Sequence, residues 1–162
     1  MKSKRPPELA NVPWITAEGT LDCSKFPIEV PIRQCVDPSS EQFGHGCRFL
    51  ASMVSAGRVD AGIFLLGLLR YYEEDLTAVT IVVESLAAFR DPRCATALFG
   101  ELRRVPSSNT TRRYLDTVIT SLTRLPADMV QERFSALSRE TAFSYKMRAK
   151  FRDAAEAIAR HW

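Results

Sequence analysis

Side chains that could bind a metal ion lie close together in the first third of this chain. Cys23, Cys35, His45 and Cys47 fall within 25 residues of one another, and zinc accepts such a Cys/His set in tetrahedral geometry. Their spacing contains no C-x-x-C and no H-x-x-x-H unit, which are the usual marks of a zinc site. We therefore interpret the four as structural residues and predict neither a metal ion nor another cofactor.

His45 and Cys47 form the pair that best resembles a nucleophile with its base. Nucleophilic catalysis requires the base within hydrogen-bond reach of the nucleophile, but residues two apart on a helix point in different directions. The seven glycines form no phosphate-binding loop. The acidic run from Glu73 to Asp75 is typical of a helix start. The sequence thus predicts a protein that is not an enzyme.

Basic side chains concentrate in the last third of the chain. Residues 103–162 hold 12 Lys/Arg against 6 Asp/Glu, whereas residues 1–102 hold 10 against 13. A basic face suits a phosphate backbone or an acidic protein segment, and we expect Tyr114 and Tyr145 to add stacking or hydrogen bonding. The alternative is a solvated surface whose Arg stems pack along the helices. The predicted binding residues are Arg112, Arg113, Lys146, Arg148, Lys150 and Arg152.

The elements that must position these residues are helices. From residue 40 onward, apolar residues recur at steps of three and four, which is typical of amphipathic helices. The links between the apolar segments are short, so consecutive helices should be antiparallel neighbours. Seven helices are predicted, with starts near Ser40, Asp60, Glu73, Asp91, Thr110, Asp128 and Ser144.

Residues 1–39 differ from the rest of the chain because they contain six of its nine prolines. Proline fixes φ and removes a backbone donor, which favours an extended arm. Trp14 and Phe26 are expected to dock this arm on the helical domain at residues 40–162. The alternating apolar residues from Phe26 to Ile32 predict one short strand within it.

A spacing of 36 residues relates the predicted helices to one another. Leu50, Leu86, Leu122 and Ile158 follow at this interval, and so do Arg112 and Arg148. Periods between about 20 and 50 residues are typical of stacked helical repeats. The spacing therefore predicts that alternate helices have equivalent places in the fold, with buried positions at the four apolar residues.

The segment from Asp91 to Pro126 resembles a HEAT-like repeat. It has a shorter helix, a break at Pro106 to Asn109 and a longer helix with Leu115, Val118, Ile119 and Leu122. The segment lacks the usual Asp and Arg pair of that family, so armadillo-like and tetratricopeptide-like stacking stay open as alternatives. The resemblance implies an all-α superhelix, a HEAT-like solenoid of about three and a half helix pairs whose second helices line a concave face that holds another macromolecule.

The function that these observations favour is binding without catalysis. We expect an adaptor or scaffold whose helical face holds a protein partner; the alternative is a nucleic-acid-binding protein that uses the basic face. No apolar run approaches the ~20 residues that a membrane span needs, and the N-terminal residues lack the apolar core of a signal peptide. A cytoplasmic location and no membrane partner are therefore expected, and the sequence does not decide the oligomeric state.

Overall fold

The structure, a computed structural model, describes residues 11–161 and contains helices without strands in that range. The chain forms two compact units, and the division between them falls between Phe64 and Leu65. The predicted all-α class is therefore confirmed for the described residues. The part of the predicted arm before residue 11 lies outside them.

Eight helices occur between residues 11 and 161, one more than the sequence predicts. The seven predicted helices are all present, and the additional one is the short α1. The helices are α1 Glu29–Gln34, α2 Glu41–Ser55, α3 Val59–Tyr71, α4 Leu76–Leu86, α5 Pro92–Arg104, α6 Arg112–Leu122, α7 Ala127–Leu137 and α8 Tyr145–His161. The expected order of a shorter helix and then a longer one between Asp91 and Pro126 was wrong, because α5 has 13 residues and α6 has 11.

The expectation of a short strand between Phe26 and Ile32 was wrong, because α1 occupies most of that stretch. Pro31 lies in the first turn of α1, where a backbone N–H would have no partner within the helix. The missing donor therefore costs nothing there, and the fixed φ of proline suits a helix. The alternating apolar pattern misled the prediction because a helix of six residues is too short to show its own period.

Short polar side chains begin several helices, as their sequence positions predict. Ser40 accepts a hydrogen bond from the Gln42 N–H, and Asp75 accepts from Thr77 and Ala78. Asp91 accepts from the Arg93 N–H and precedes Pro92 at the first position of α5. The Arg93 side chain also bonds this carboxylate and, with the capped N–H, lowers the pKa of Asp91 to about 2. These caps satisfy backbone donors that have no partner within the helix.

In the first unit, the segment before α1 packs against α2 and the residues that follow it. The Phe26 ring lies 4.9 Å from the ring of Phe49 and 5.9 Å from that of Trp14, measured between centroids. Arg58 donates from Nη1 to the carbonyl oxygen of Phe26 at 3.0 Å and pairs with Asp60. Aromatic contacts and one arginine thus hold the proline-rich segment in place.

The packing of α1 on α2 depends on Gly46. A Cβ atom at this position would lie 2.7 Å from the Cys35 Sγ, 2.8 Å from the Gln34 Cβ and 2.8 Å from the Pro31 carbonyl oxygen. All three distances are shorter than a carbon atom tolerates. The missing side chain therefore lets the end of α1 lie directly against the α2 backbone.

In the second unit, neighbouring helices pack in several pairs. Contacts join α4 to α6, α5 to α6 and α7, and α7 to α8. The Phe99 ring of α5 lies 5.1 Å from the Phe134 ring of α7, and Arg133 places its guanidinium 4.2 Å from the centroid of Phe99. Arg103, near the end of α5, donates two hydrogen bonds to Glu140, which follows the end of α7.

The residues that set the 36-residue spacing are buried. Leu50, Leu86 and Leu122 are inaccessible to solvent, and Ile158 is 2% exposed. Their predicted burial is confirmed, since each lies on the apolar face of its helix.

Across residues 11–161, the helices are all too short or too polar to cross a lipid bilayer.

Replacing Gly46 by alanine should destabilise the first unit. The added methyl group has to displace a sulfur atom, a side-chain carbon and a backbone oxygen, and overpacking of this kind costs about 1–3 kcal/mol. Gly100 is a matched control because it is also helical, and a Cβ atom added there would meet no neighbouring residue within 4 Å. Gly100→Ala should stabilise the protein by about 0.5–1 kcal/mol. Urea unfolding followed by circular dichroism measures both changes, and equal effects at the two glycines would contradict the role assigned to Gly46.

Candidate functional site

A short connection between α5 and α6 is the centre of the candidate site. It runs from Val105 to Thr111 and carries exposed serine, threonine and asparagine side chains. The Thr111 hydroxyl donates to the Pro106 carbonyl oxygen at 2.7 Å and accepts from the Ser108 N–H at 2.9 Å. These hydrogen bonds close the connection on itself, so its polar side chains face outward at the start of α6.

A buried carboxylate fixes the two ends of this connection. Glu101, near the end of α5, is 4% exposed, and it accepts hydrogen bonds from Arg104 at 3.0 and 2.6 Å. Tyr114, in the first turn of α6, donates from its hydroxyl to the same carboxylate at 2.6 Å. Burial and this hydrogen bond raise the pKa of Tyr114, so it stays a donor. A buried carboxylate needs partners of this kind, and here they come from both helices.

Two shallow grooves meet at the connection. The first, called the loop groove, has a volume of about 680 Å³. Its lining combines three basic side chains with hydroxyl and amide groups, and none of its described lining residues is acidic. The residues that line the loop groove are Ser107, Ser108, Asn109, Arg112, Leu115, Ser144, Tyr145, Lys146, Met147, Ala149 and Lys150.

The second, called the α6 groove, follows the exposed side of α6 and has a volume of about 600 Å³. It shares Asn109 and Arg112 with the loop groove, and Arg112 donates to the Asn109 amide oxygen at 3.1 Å. Unlike the loop groove, it contains carboxylates. The residues that line the α6 groove are Glu84, Asn109, Arg112, Arg113, Asp116, Thr117, Thr120, Ser121 and Arg124.

An ion pair lies between the two grooves. Lys150 of α8 lines the loop groove and bonds Asp116 of α6, which lines the α6 groove. The two residues are 34 positions apart, and the contact joins α6 and α8, the helices that carry Leu122 and Ile158 of the 36-residue spacing. It partly neutralises Lys150 and leaves Lys146 and Arg112 as the more available cations of the loop groove.

The six predicted binding residues do not share one surface. Arg112, Lys146 and Lys150 line the loop groove, and Arg112 and Arg113 line the α6 groove, whereas Arg148 and Arg152 line neither. Successive helical residues are about 100° apart. Lys146 and Lys150 therefore lie on one flank of the buried stripe of α8, and Arg148 and Arg152 lie on the other.

The two tyrosines that were expected to contribute to the basic face lie in different environments. Tyr145 lines the loop groove and is 74% exposed, so it can contact a ligand. Tyr114 is 2% exposed and its hydroxyl donates to Glu101, so the expectation that it adds stacking or hydrogen bonding to the basic face was wrong. The burial of Glu101 was not predicted, because an acidic residue next to basic ones is typical of an exposed position. Its place on the apolar face of α5, three residues after Leu98, was the sequence signal that indicated burial.

The possible metal ligands come together only in part. Cys35 and Cys47 are neighbours, with 3.9 Å between their sulfur atoms. His45 is exposed and contacts Arg48 through Nδ1, and Cys23 is half-buried. Within residues 11–161, no three His, Cys, Asp or Glu side chains are arranged so that they could hold a metal ion.

Comparisons of the chain with protein-family models, with curated proteins and with solved structures found no match.

Replacing Glu101 by glutamine should destabilise the second unit by about 2 kcal/mol. The change removes the charge that balances Arg104 and turns an amide toward a donor, which is costly where water is excluded. Glu140→Gln is a matched control because Glu140 also receives two hydrogen bonds from one arginine, but in a more exposed pair. It should cost clearly less stability than Glu101→Gln, because solvent screens an exposed ion pair. Urea unfolding measures the free energy of unfolding of both variants. An equal loss in the two would show that the burial of Glu101 does not contribute to stability.

Proposed function

We propose that this protein is a non-enzymatic binding module, an adaptor or scaffold that holds an acidic segment of a protein partner in the loop groove. The composition of that groove is the main support. Arg112 and Lys146 supply two available cations, Lys150 adds a third that is paired with Asp116, and Tyr145 supplies an exposed aromatic ring. A carboxylate-rich segment would find charge-assisted hydrogen bonds with no acidic lining residue to repel it.

The proposed framework for this groove is a short HEAT-like stack formed by α4 to α8. Contacts between residues 34 to 37 positions apart support it, because such contacts join one repeat to the next. They include Phe99 with Phe134, Arg133 with Thr96, Arg103 with Glu140 and Lys150 with Asp116. In this proposal α4, α6 and α8 are the second helices of their pairs and carry the binding side.

A protein segment is favoured over a nucleic acid by the acidic residues next to the loop groove. A phosphate backbone needs a continuous row of cations, but Glu84 and Asp116 line the adjoining α6 groove. Arg148 and Arg152, which would extend a basic stripe along α8, lie on its other flank. A peptide can place its own basic or polar residues opposite Glu84, so the mixed charge suits it better.

Charge reversal in the loop groove should weaken peptide binding. The probe is a fluorescent peptide of alternating glutamate and serine, measured by anisotropy against the wild-type chain and single variants. Arg112→Glu and Lys146→Glu should each reduce affinity by about tenfold, since each replaces an attraction with a repulsion. Arg152→Glu is the matched control because it makes the same charge change on the exposed surface of α8, outside the groove, and it should change affinity by less than about twofold.

Two outcomes would overturn the proposal. In one, Arg152→Glu weakens peptide binding as much as Lys146→Glu does, which would mean that overall charge and not the groove determines binding. In the other, a single-stranded RNA with the same number of charges binds more tightly than the peptide, with an affinity that falls steeply with salt. That second result would favour the nucleic-acid alternative.

A further inference from the structure

Cys35 and Cys47 form a closely spaced pair of thiols in the first unit. Their sulfur atoms are 3.9 Å apart, close enough for a weak S–H···S hydrogen bond. Cys35 is 2% exposed and ends α1, whereas Cys47 is inaccessible and lies within α2. The pair therefore lies where the two helices meet, far from the loop groove in sequence and not involved in the proposed binding function.

The end of α1 lies directly against the α2 backbone next to Cys47, which brings the two sulfur atoms into contact. A disulfide requires a sulfur separation of about 2.0 Å, which rotation of two side chains can reach when their backbones are near each other. Gly46 provides that nearness, since the Cys35 Sγ lies 2.7 Å from the place where its Cβ would be. No other side chain has to be displaced from between the two thiols, because they are already in contact.

We propose that Cys35 and Cys47 are an oxidation site that a peroxide converts into a disulfide joining α1 to α2. The relevant oxidant class is hydrogen peroxide and small organic hydroperoxides. The other two cysteines lack such a neighbour in the described part of the chain: Cys94 contacts a backbone carbonyl, and Cys23 is half-buried in the segment before α1.

Cys35 is the thiol that reacts first in this proposal. A hydrogen bond from Cys47 favours its thiolate and lowers the pKa of Cys35, while the same bond and burial raise the pKa of Cys47. The residue that follows Cys35, Val36, is 70% exposed, so the chain reaches the surface directly after this thiol. The helix that it ends has six residues and no side-chain cap, so brief opening of α1 gives a peroxide access.

The reaction balances with the peroxide as its only co-reactant. The Cys35 thiolate attacks one peroxide oxygen, the O–O bond breaks, and the sulfur becomes a sulfenic acid while the released hydroxide takes up a proton to form water. Cys47 then gives up its proton, and its sulfur attacks the Cys35 sulfur. The S–S bond forms as the S–O bond breaks, and the second hydroxide leaves as water. Two thiols lose two electrons, which reduce one hydrogen peroxide to two waters, or one organic hydroperoxide to an alcohol and a water.

Peptide mapping of the oxidised chain tests the proposal. The full-length native protein is treated with hydrogen peroxide, the remaining thiols are alkylated in denaturant, and the digest is analysed without reduction. The expected main product is a Cys35–Cys47 link that dithiothreitol reverses. Amide hydrogen exchange at residues 32–35 should then slow by about tenfold, because the link prevents α1 from opening alone.

Cysteine variants show which thiols form the disulfide. Cys23→Ser should leave the product unchanged, and Cys47→Ala should abolish it and lead to sulfinic acid at Cys35. Peptide mapping of the wild-type chain tests the proposed disulfide even if the Cys47→Ala variant fails to fold. The proposal is overturned if the main wild-type product is a sulfinic acid, a link through Cys23 or Cys94, or an unmodified chain at a peroxide dose that oxidises the urea-unfolded protein.

Discussion

A carboxylate that lies in the protein interior must be neutralised where it stands, and Glu101 imposes this requirement on the second unit. Arg104, on the same helix, and Tyr114, on the next helix, donate hydrogen bonds to this carboxylate. Because the two donors lie on either side of the Val105–Thr111 connection, these hydrogen bonds also set the path of that connection. The position of Arg112 and of the serine-rich lining of the loop groove therefore depends on a carboxylate that solvent hardly reaches.

The grooves combine two kinds of contact that differ in sequence separation. Local hydrogen bonds close the connection on itself, through Thr111 and Pro106. Contacts over 34 to 37 residues, such as Lys150 with Asp116 and Phe99 with Phe134, hold α6 next to α8 and α5 next to α7. The local contacts shape the edge of the loop groove, while the longer ones bring Lys146 and Tyr145 to it.

The helices could be predicted from the sequence because most have a clear apolar period and a polar residue at the start, as Ser40 and Asp91 illustrate. α1 could not be predicted in this way, since a helix of six residues with an internal proline is too short to show a helical apolar period. Three of the six predicted binding residues line the loop groove, because a count of basic residues locates a charged region but not its faces. Glu101 was missed for a related reason: whether a carboxylate is buried depends on partners that only the fold brings together.

The proposed function requires that the loop groove is the binding surface. Nuclear magnetic resonance of the isotope-labelled chain, titrated with an acidic peptide, tests this directly because each backbone amide reports separately. Binding in the loop groove predicts that chemical-shift changes concentrate at Ser107–Arg112 and Tyr145–Lys150, with little change at Arg152–Arg160. Changes that concentrate on the Arg152 side of α8 or in the first unit, with none at the Val105–Thr111 connection, would contradict it.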